Sequence, residues 1–168
     1  RVPDANMLPE ARGLKAPLTC LNQARYGIAW GAIGAAQACY DEALRYAKNR
    51  IQFDRPIAAT QLIQELLAEI VTEITKAQLL CLRLGQLHDA GKVTPAQISM
   101  AKRNNVAMAL KTARTCREIL GANGILDDYQ AFRHMVNLES VYTYEGTHQI
   151  HTLIIGHDIT GIPAYGQR

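Results

Sequence analysis

The chain has 168 residues, 48% apolar and 20% charged, with 12 Gly and 6 Pro. That is about one domain's worth of chain with enough apolar content for a core, and it excludes disordered and collagen-like polymers. A formal net charge of +3 is too small to mark a nucleic-acid or membrane surface.

Residues 1–17 contain Pro3, Pro9, Gly13 and Pro17, which predict an extended or looping lead-in. The start carries no Met and no charged-then-apolar signal pattern. From about Leu18 to Asn49, Ile28, Ala32, Ala35, Ala36, Cys39, Ala43 and Tyr46 recur at helical steps. Gly27, Gly31 and Gly34 share one face of this first helix, which marks either close helix packing or the approach of another backbone or a ligand. The uncharged run Tyr26–Tyr40 includes Trp30 and Gln37 and falls short of the ~20 apolar residues that cross a bilayer.

Asn49–Ala59, with Pro56, breaks the pattern. A second helix is predicted over about Gln61–Asp89, with a buried stripe of Ile63, Leu66, Leu67, Ile70, Ile74, Ala77, Cys81 and Leu84 and a surface row of Glu65, Glu69 and Glu73. Ala90-Gly91 ends it. Thr94, Pro95 and Gln97 form a capping box with an N1 proline that opens the third helix. Its stripe is Ile98, Ala101, Asn105, Ala109, Ala113, Cys116 and Leu120, and Gly121 stops it. A loop over residues 122–128 leads to a short helical stretch near Gln130–Leu138. After a break at Tyr142–Gly146, a last helix runs over about Thr147–Thr160, closed by Gly161 and Pro163. No segment sustains a period of two. The fold class is therefore all-α, an antiparallel up-down-up-down four-helix bundle of three long helices and a shorter fourth. Cys20, Cys39, Cys81 and Cys116, far apart and without a C-x-x-C pair, read as buried thiols in a reducing compartment.

Several residue groups could carry chemistry. Glu145 and His148 form a single Glu-x-x-His, with His151 three residues on. A di-metal carboxylate bundle needs that motif twice, so no metal ligands are assigned. Lys102, Arg103, Lys111, Arg114 and Arg117 occur in an acid-free stretch of the third helix. With no aromatic interleaved there is no stacking platform for bases, and a solvated basic face is the favoured reading. Arg50, Phe53 and Arg55 at the exit of the first helix suit either a diphosphate with a flat ring or ordinary dipole complementarity. Small residues in Leu120–Gly124 allow close approach of a ligand to backbone. Glu145, between Tyr144 and Gly146, is either a general base in a partly apolar loop or an acid complementing the dipole of the last helix.

Taken in order, Ala24-Arg25, Arg50-x-Gln52-Phe53 followed by Pro56-Ile57, Gln61, Ile119-Leu-Gly-Ala-Asn-Gly124 and Tyr144-Glu-Gly-Thr147 resemble the C-terminal helical domain of the acyl-CoA dehydrogenase family. The likeness covers nearly the whole chain. The runs Cys20–Gly31, Lys102–Asn105 and Tyr144–His151 are most similar to its glutaryl-CoA dehydrogenase branch. The resemblance implies an FAD-dependent oxidoreductase, usually a homotetramer, that passes electrons to electron-transferring flavoprotein, with no nucleic acid and no membrane insertion. It implies bacterial cytoplasm or, in a eukaryote, the mitochondrial matrix.

By the same likeness, Glu145 removes the α-proton of an acyl-CoA while a hydride leaves the β-carbon for FAD. The backbone N–H of the base then helps polarise the thioester carbonyl, and glutaryl-CoA yields crotonyl-CoA and CO₂. Leu18, Thr19, Cys20, Leu21, Asn22, Gln23, Ala24 and Arg25, with Gly146, are the implied substrate contacts. Arg50, Phe53, Gln61, Thr147 and Tyr165 are implied flavin contacts, as are Glu118, Ile119, Leu120, Gly121 and Ala122. The 118–122 segment would serve a neighbouring subunit's flavin. Ala122 and Asp54 stand where the family commonly has glycine. Residues 1–17 are then the lead-in from a preceding β-domain and 18–168 the helical domain, one part of a longer enzyme. The competing readings are a non-catalytic helical association domain and a di-metal bundle.

Overall fold

Each long apolar stripe becomes one helix. The computed structural model describes residues 1–164. Its helices are α1 (Lys15–Asn49), α2 (Gln61–Asp89), α3 (Pro95–Ile119), α4 (Gln130–Thr143) and α5 (His148–Thr160). Helix α1 begins slightly before the expected Leu18, with Pro17 in its first turn, where a missing N–H leaves no bond unmade. The capping box of α3 forms as expected: Thr94 Oγ1 accepts from Gln97 N at 3.2 Å, and Thr94 N donates to Gln97 Oε1 at 3.0 Å. Gly121, at φ 58°, provides the left-handed stop.

The stretch expected to end at Leu138 continues to Thr143, because Val141 and Tyr142 pack on the same apolar face as Leu138. It is the fourth member of the bundle, and α5 is an additional fifth helix packed mainly on α3. Sequence-adjacent bundle helices run antiparallel, so α1 and α3 are parallel. Asn105 accordingly reaches Ala29 and Ala77, while Tyr46, near the end of α1, bonds Asn123 just past α3.

Between α1 and α2 lies a short hairpin, β1 (Ile51–Gln52) and β2 (Arg55–Pro56), with Ile51 opposite Pro56 and Gln52 opposite Arg55. Its turn residues Phe53 and Asp54 have φ of 51° and 62°. Both central positions positive is the primed turn that matches strand twist. Neither residue is the Gly or Asn that signals such a turn, so only a break was legible there.

The core is small-residue-rich along α1 (Ala29, Ala32, Ala36, Ala43, Ala47) and aliphatic along α2 (Leu67, Ile70, Ile74, Leu84). Asn105, fully buried, places its amide 3.2 Å from Ala29 O and 3.1 Å from Cys81 Sγ. It thereby links α1, α2 and α3. Burial pushes the Cys39 thiol up to about 12 and that of Cys81 to about 11. Cys20 corrects the expectation of four buried thiols, since it is exposed on the first turns of α1. Among the described residues no helix is long and apolar enough to cross a membrane.

Candidate active site

Helix α4 ends at Thr143 and α5 begins at His148, leaving four residues to reverse the chain. Glu145 (φ 51°) and Gly146 (φ 93°) are consecutive left-handed residues. Glycine adopts that region freely, whereas a residue with a Cβ does so at a cost of ~1–2 kcal/mol. A Cβ on Gly146 would also stand 2.9 Å from His151 Nε2 and 3.3 Å from an Arg25 nitrogen, so only glycine fits. Thr147 caps α5, its Oγ1 accepting from Ile150 N at 3.2 Å. Glu145 lies two residues before the N-cap Thr147, and the first turn of α5 itself contains no acid.

Two cations from the bundle hold this turn by its carbonyls. Arg25 of α1, 6% exposed, donates from Nε to Glu145 O at 2.8 Å and from Nη1 to Asn22 Oδ1 at 3.3 Å. Lys102 of α3, 1% exposed, donates from Nζ to Val141 O at 2.8 Å, Tyr144 O at 3.0 Å and Gly146 O at 2.9 Å. Burial pushes the Lys102 ammonium down to about 8, with the Arg25 charge adding to the shift and Glu145 opposing it. The same pattern lowers Arg25, with Glu145 again opposing burial. His151 is wholly buried beside them. Desolvation, then Lys102 and Arg25, push its imidazole down to about 4, so it is neutral near pH 7.

Glu145 itself is half-buried, and its Oε2 is shielded from solvent without a hydrogen-bond partner. Among the described residues no acceptor takes its backbone N–H. A carboxylate oxygen and an amide hydrogen of one residue therefore both lack a partner among the described residues, on a backbone fixed by two buried cations.

The basic face expected on α3 needs correction at Lys102, which lies within the core. It falls four residues after Ile98 and three before Asn105, and that spacing is the signal that could have placed it on the buried stripe. Arg103 bonds Thr152 Oγ1 at 2.8 Å, Arg114 pairs with Glu139, and Lys111 stands 3.9 Å from Glu69. His148 stacks on Tyr142 with ring centroids 4.5 Å apart. Burial and the charges of Arg103 and Lys102 lower its pKa. Among the described residues no three His, Cys, Asp or Glu side chains could hold a metal ion together.

The expected substrate residues occupy the first turns of α1. Leu18, Thr19, Cys20, Gln23 and Ala24 are exposed, Leu21 and Asn22 half-buried, and only Arg25 is buried. Arg25 brings this segment to Glu145 and Gly146. Gly27, Gly31 and Gly34 present open space where a Cβ would stand, so their face is not a helix–helix seam within the chain. Gly31 instead borders an apolar cleft of about 230 Å³, together with Ile28, Leu138, Val141 and Tyr144.

The expected cofactor residues divide between two places. Arg50, Gln52, Ile119, Leu120, Gly121 and Ala122 line one cleft of about 270 Å³ with Tyr46 and Asn123. Ile119 and Leu120 are in the core, so backbone is what they can offer a ligand, whereas Arg50 and Ala122 are exposed. Glu118 is exposed alongside. Phe53 is 86% exposed on the hairpin turn, and Gln61 opens α2. Gln52 and Asn123 entered the sequence reading only as motif letters and Tyr46 only as a stripe residue; the Tyr46–Asn123 bond across the bundle end, 3.0 Å long, is what brings Tyr46 and Asn123 to this cleft. Thr147 lies elsewhere, beside Glu145. About twenty-five helical residues separate Arg25 from Arg50, about 37 Å at 1.5 Å per residue. Tyr165 lies outside the described residues.

A family model for the acyl-CoA dehydrogenase C-terminal domain matches residues 11–160. An acyl-CoA dehydrogenase of Bacillus subtilis is 38% identical over 161 residues, covering 95% of this chain and 42% of its own. The crystal structure of glutaryl-CoA dehydrogenase from Mycobacterium smegmatis superposes with a TM-score of 0.95 at 53% identity, over 98% of this chain and 43% of that one. A second such structure from that organism, in complex with FADH2, gives 0.95 at 47% identity over the same shares. A structure of electron transferring flavoprotein of Acidaminococcus fermentans includes a chain that matches with a TM-score of 0.85 at 30% identity, over 88% of this chain and 39% of that one. The chain thus spans about two fifths of the length of these relatives. With five helices among the described residues, a left-handed Glu-Gly turn and a family match along most of its length, the chain belongs to the acyl-CoA dehydrogenase family, as the C-terminal helical domain.

Proposed function

We propose that the enzyme containing this chain is an FAD-dependent acyl-CoA dehydrogenase acting on glutaryl-CoA, with Glu145 as the base. The observation that carries the reading is the Glu145 carboxylate, whose Oε2 is shielded from water and unpartnered while its backbone is held from two helices. Such an oxygen can take the α-proton of a thioester with little reorganisation. The free N–H of the same residue is a donor for the thioester oxygen, where negative charge develops as the proton leaves. Leu18, Thr19, Cys20, Leu21, Asn22, Gln23, Ala24 and Arg25, with Gly146, border the acyl-CoA. The enoyl product of glutaryl-CoA then loses its γ-carboxylate as CO₂.

The donor set at the far end of α1 fits a dinucleotide: an exposed arginine, the Gln52 amide, and close backbone at Gly121 and Ala122. Bound FAD supplies the acceptor for the hydride from the β-carbon. Arg50, Phe53, Gln61 and Glu118–Ala122 would hold it at this end, and Thr147 at the Glu145 end. The separation of about 37 Å along α1 supports assigning these ends to two different flavins, one of them a neighbouring subunit's, and hence a homo-oligomer. Electrons pass onward to an electron-transferring flavoprotein, a reading supported by the related chain in the Acidaminococcus fermentans structure.

The test is Glu145→Gln in the whole enzyme, mixed anaerobically with glutaryl-CoA. Flavin bleaching should slow by ~10²–10⁴-fold with bound FAD unchanged. Normal bleaching would remove Glu145 from catalysis, and an absence of flavin in the wild-type enzyme would favour the association-domain reading.

A further inference from the structure

Lys102 is the largest of the fully buried side chains, and among the described residues it forms no ion pair. An ammonium has three N–H groups, and Val141 O, Tyr144 O and Gly146 O take one each at 2.8, 3.0 and 2.9 Å. Nζ also stands 5.9 Å from the centre of the Tyr144 ring. A buried cation without an ion-pair partner is costly, the more so beside a second cation, and an apolar side chain of similar volume would avoid that cost. An apolar side chain could not, however, gather three carbonyls from a reversing chain onto one point.

The identity of those carbonyls is informative. Val141 belongs to the last turn of α4, where carbonyls lack helical partners. Tyr144 and Gly146 flank Glu145, and that residue and Gly146 are the two left-handed positions of the turn. Arg25 holds the intervening carbonyl, that of Glu145 itself, from the opposite helix. Backbone in this region relaxes toward right-handed values unless its surroundings over-determine it. Relaxation would redirect the Cα–Cβ bond of Glu145 and move its carboxylate.

Resting on the reading of Glu145 as the base, we propose that Lys102 is the positioning residue that keeps Glu145 in its left-handed conformation, by drawing the carbonyls on either side of it onto one ammonium. With all three N–H groups on backbone carbonyls and its side chain buried, Lys102 has no donor left for substrate or flavin. Its removal therefore acts on the rate of the chemical step rather than on ligand affinity. A simple cap for the end of α4 would affect stability alone.

The experiment compares Lys102→Met, Lys102→Gln and Glu145→Gln in the whole enzyme. Three quantities are measured on each: bound FAD, the KM for glutaryl-CoA, and the anaerobic rate of flavin reduction. Lys102→Met should keep FAD near wild type and KM within about threefold while reduction slows ~100-fold, the scale set by an ångström-level misplacement. Lys102→Gln, which retains an amide donor, should fall between Met and wild type. Reduction within threefold of wild type in Lys102→Met overturns the proposal. So does loss of FAD and of helical circular dichroism in both variants in step with the rate, which makes Lys102 a folding residue only. Slow reduction in Glu145→Gln beside normal Lys102→Met removes the positioning role alone, whereas normal reduction in Glu145→Gln removes the base assignment and this proposal with it.

Discussion

The carboxylate of Glu42, buried on α1, accepts the backbone N–H of Gln130 at 2.8 Å and of Ala131 at 3.2 Å. Residue Tyr129, at the cap position of α4, offers no side-chain bond. An acid from a different helix therefore does the capping, and its charge complements the N-terminal end of the α4 dipole. Glu42→Ala leaves two amides without an acceptor and should destabilise the chain by about 2–3 kcal/mol. Glu42→Gln, keeping one oxygen, should cost less. Urea unfolding followed by circular dichroism measures both, and equal costs for the two variants would contradict the capping role.

Two positions in the 121–124 turn should respond differently to the presence of a methyl group. A Cβ on Gly124 would overlap the backbone carbonyl of Arg117. Gly124→Ala should therefore destabilise by about 1–3 kcal/mol. Ala122 is exposed and has no positive φ, so its methyl group costs the fold nothing. Ala122→Gly should gain no stability and lose up to about 1 kcal/mol through chain entropy. Thermal melts of the two variants decide the matter.

Arg50→Ala should lower the FAD bound per subunit in the whole enzyme. The flavin that remains should still be reduced by glutaryl-CoA at near the wild-type rate, because Arg50 stands about 37 Å along α1 from the Arg25–Glu145 contact. Flavin absorbance at 450 nm (roughly, for an oxidised flavin) against protein concentration gives the first quantity and stopped-flow bleaching the second. Full occupancy with slow bleaching would reverse the assignment.

The chain should lose stability in acid through His151. Its imidazole is neutral and buried, with its pKa pushed down to about 4 from an ordinary 6.5. Between those values the unfolded chain binds a proton that the folded chain does not. The His151 contribution is thus fully present above pH 6.5 and is lost as pH falls toward 4, by a few kcal/mol at about 1.4 kcal/mol per unit. His148, also lowered by burial and neighbouring cations, acts in the same direction. In urea titrations at stepped pH, His151→Gln should flatten much of the slope in this window. An unchanged slope would exclude His151 as its source.

Much of the bundle was legible because its signals are local. Thr94, Pro95 and Gln97 stand within one turn, and the stripe Ile98, Ala101, Asn105, Ala109, Ala113, Cys116, Leu120 is buried throughout. The α2 stripe held from Leu67 to Leu84. Lys102 was misjudged because a cation is ordinarily solvated, and only the convergence of three carbonyls from 39 to 44 residues away makes its burial tolerable. The hairpin was missed because Phe53 and Asp54 take a conformation that their side chains do not advertise. The glycine face of α1 was legible as a face but not as an open one, since what lies across from it is not decided by α1. At the site, Glu145 and Gly146 were found from the motif, while the cations that hold them come from two other helices.

Helix α1 runs unbroken for 35 residues, with Arg25 near one end and Arg50 at its other. Each added residue in a helix advances the chain by 1.5 Å and turns it by about 100°. A single insertion or deletion between these arginines would swing one end out of register with the other, so that no one repacking of Ala29–Ala47 could satisfy both. The helix is in effect a calibrated axle, and sequence drift along it is confined to substitution. Length changes belong to turns such as Ala90–Lys92, part of the 90–94 connection between α2 and α3, which supplies none of the residues placed at either end.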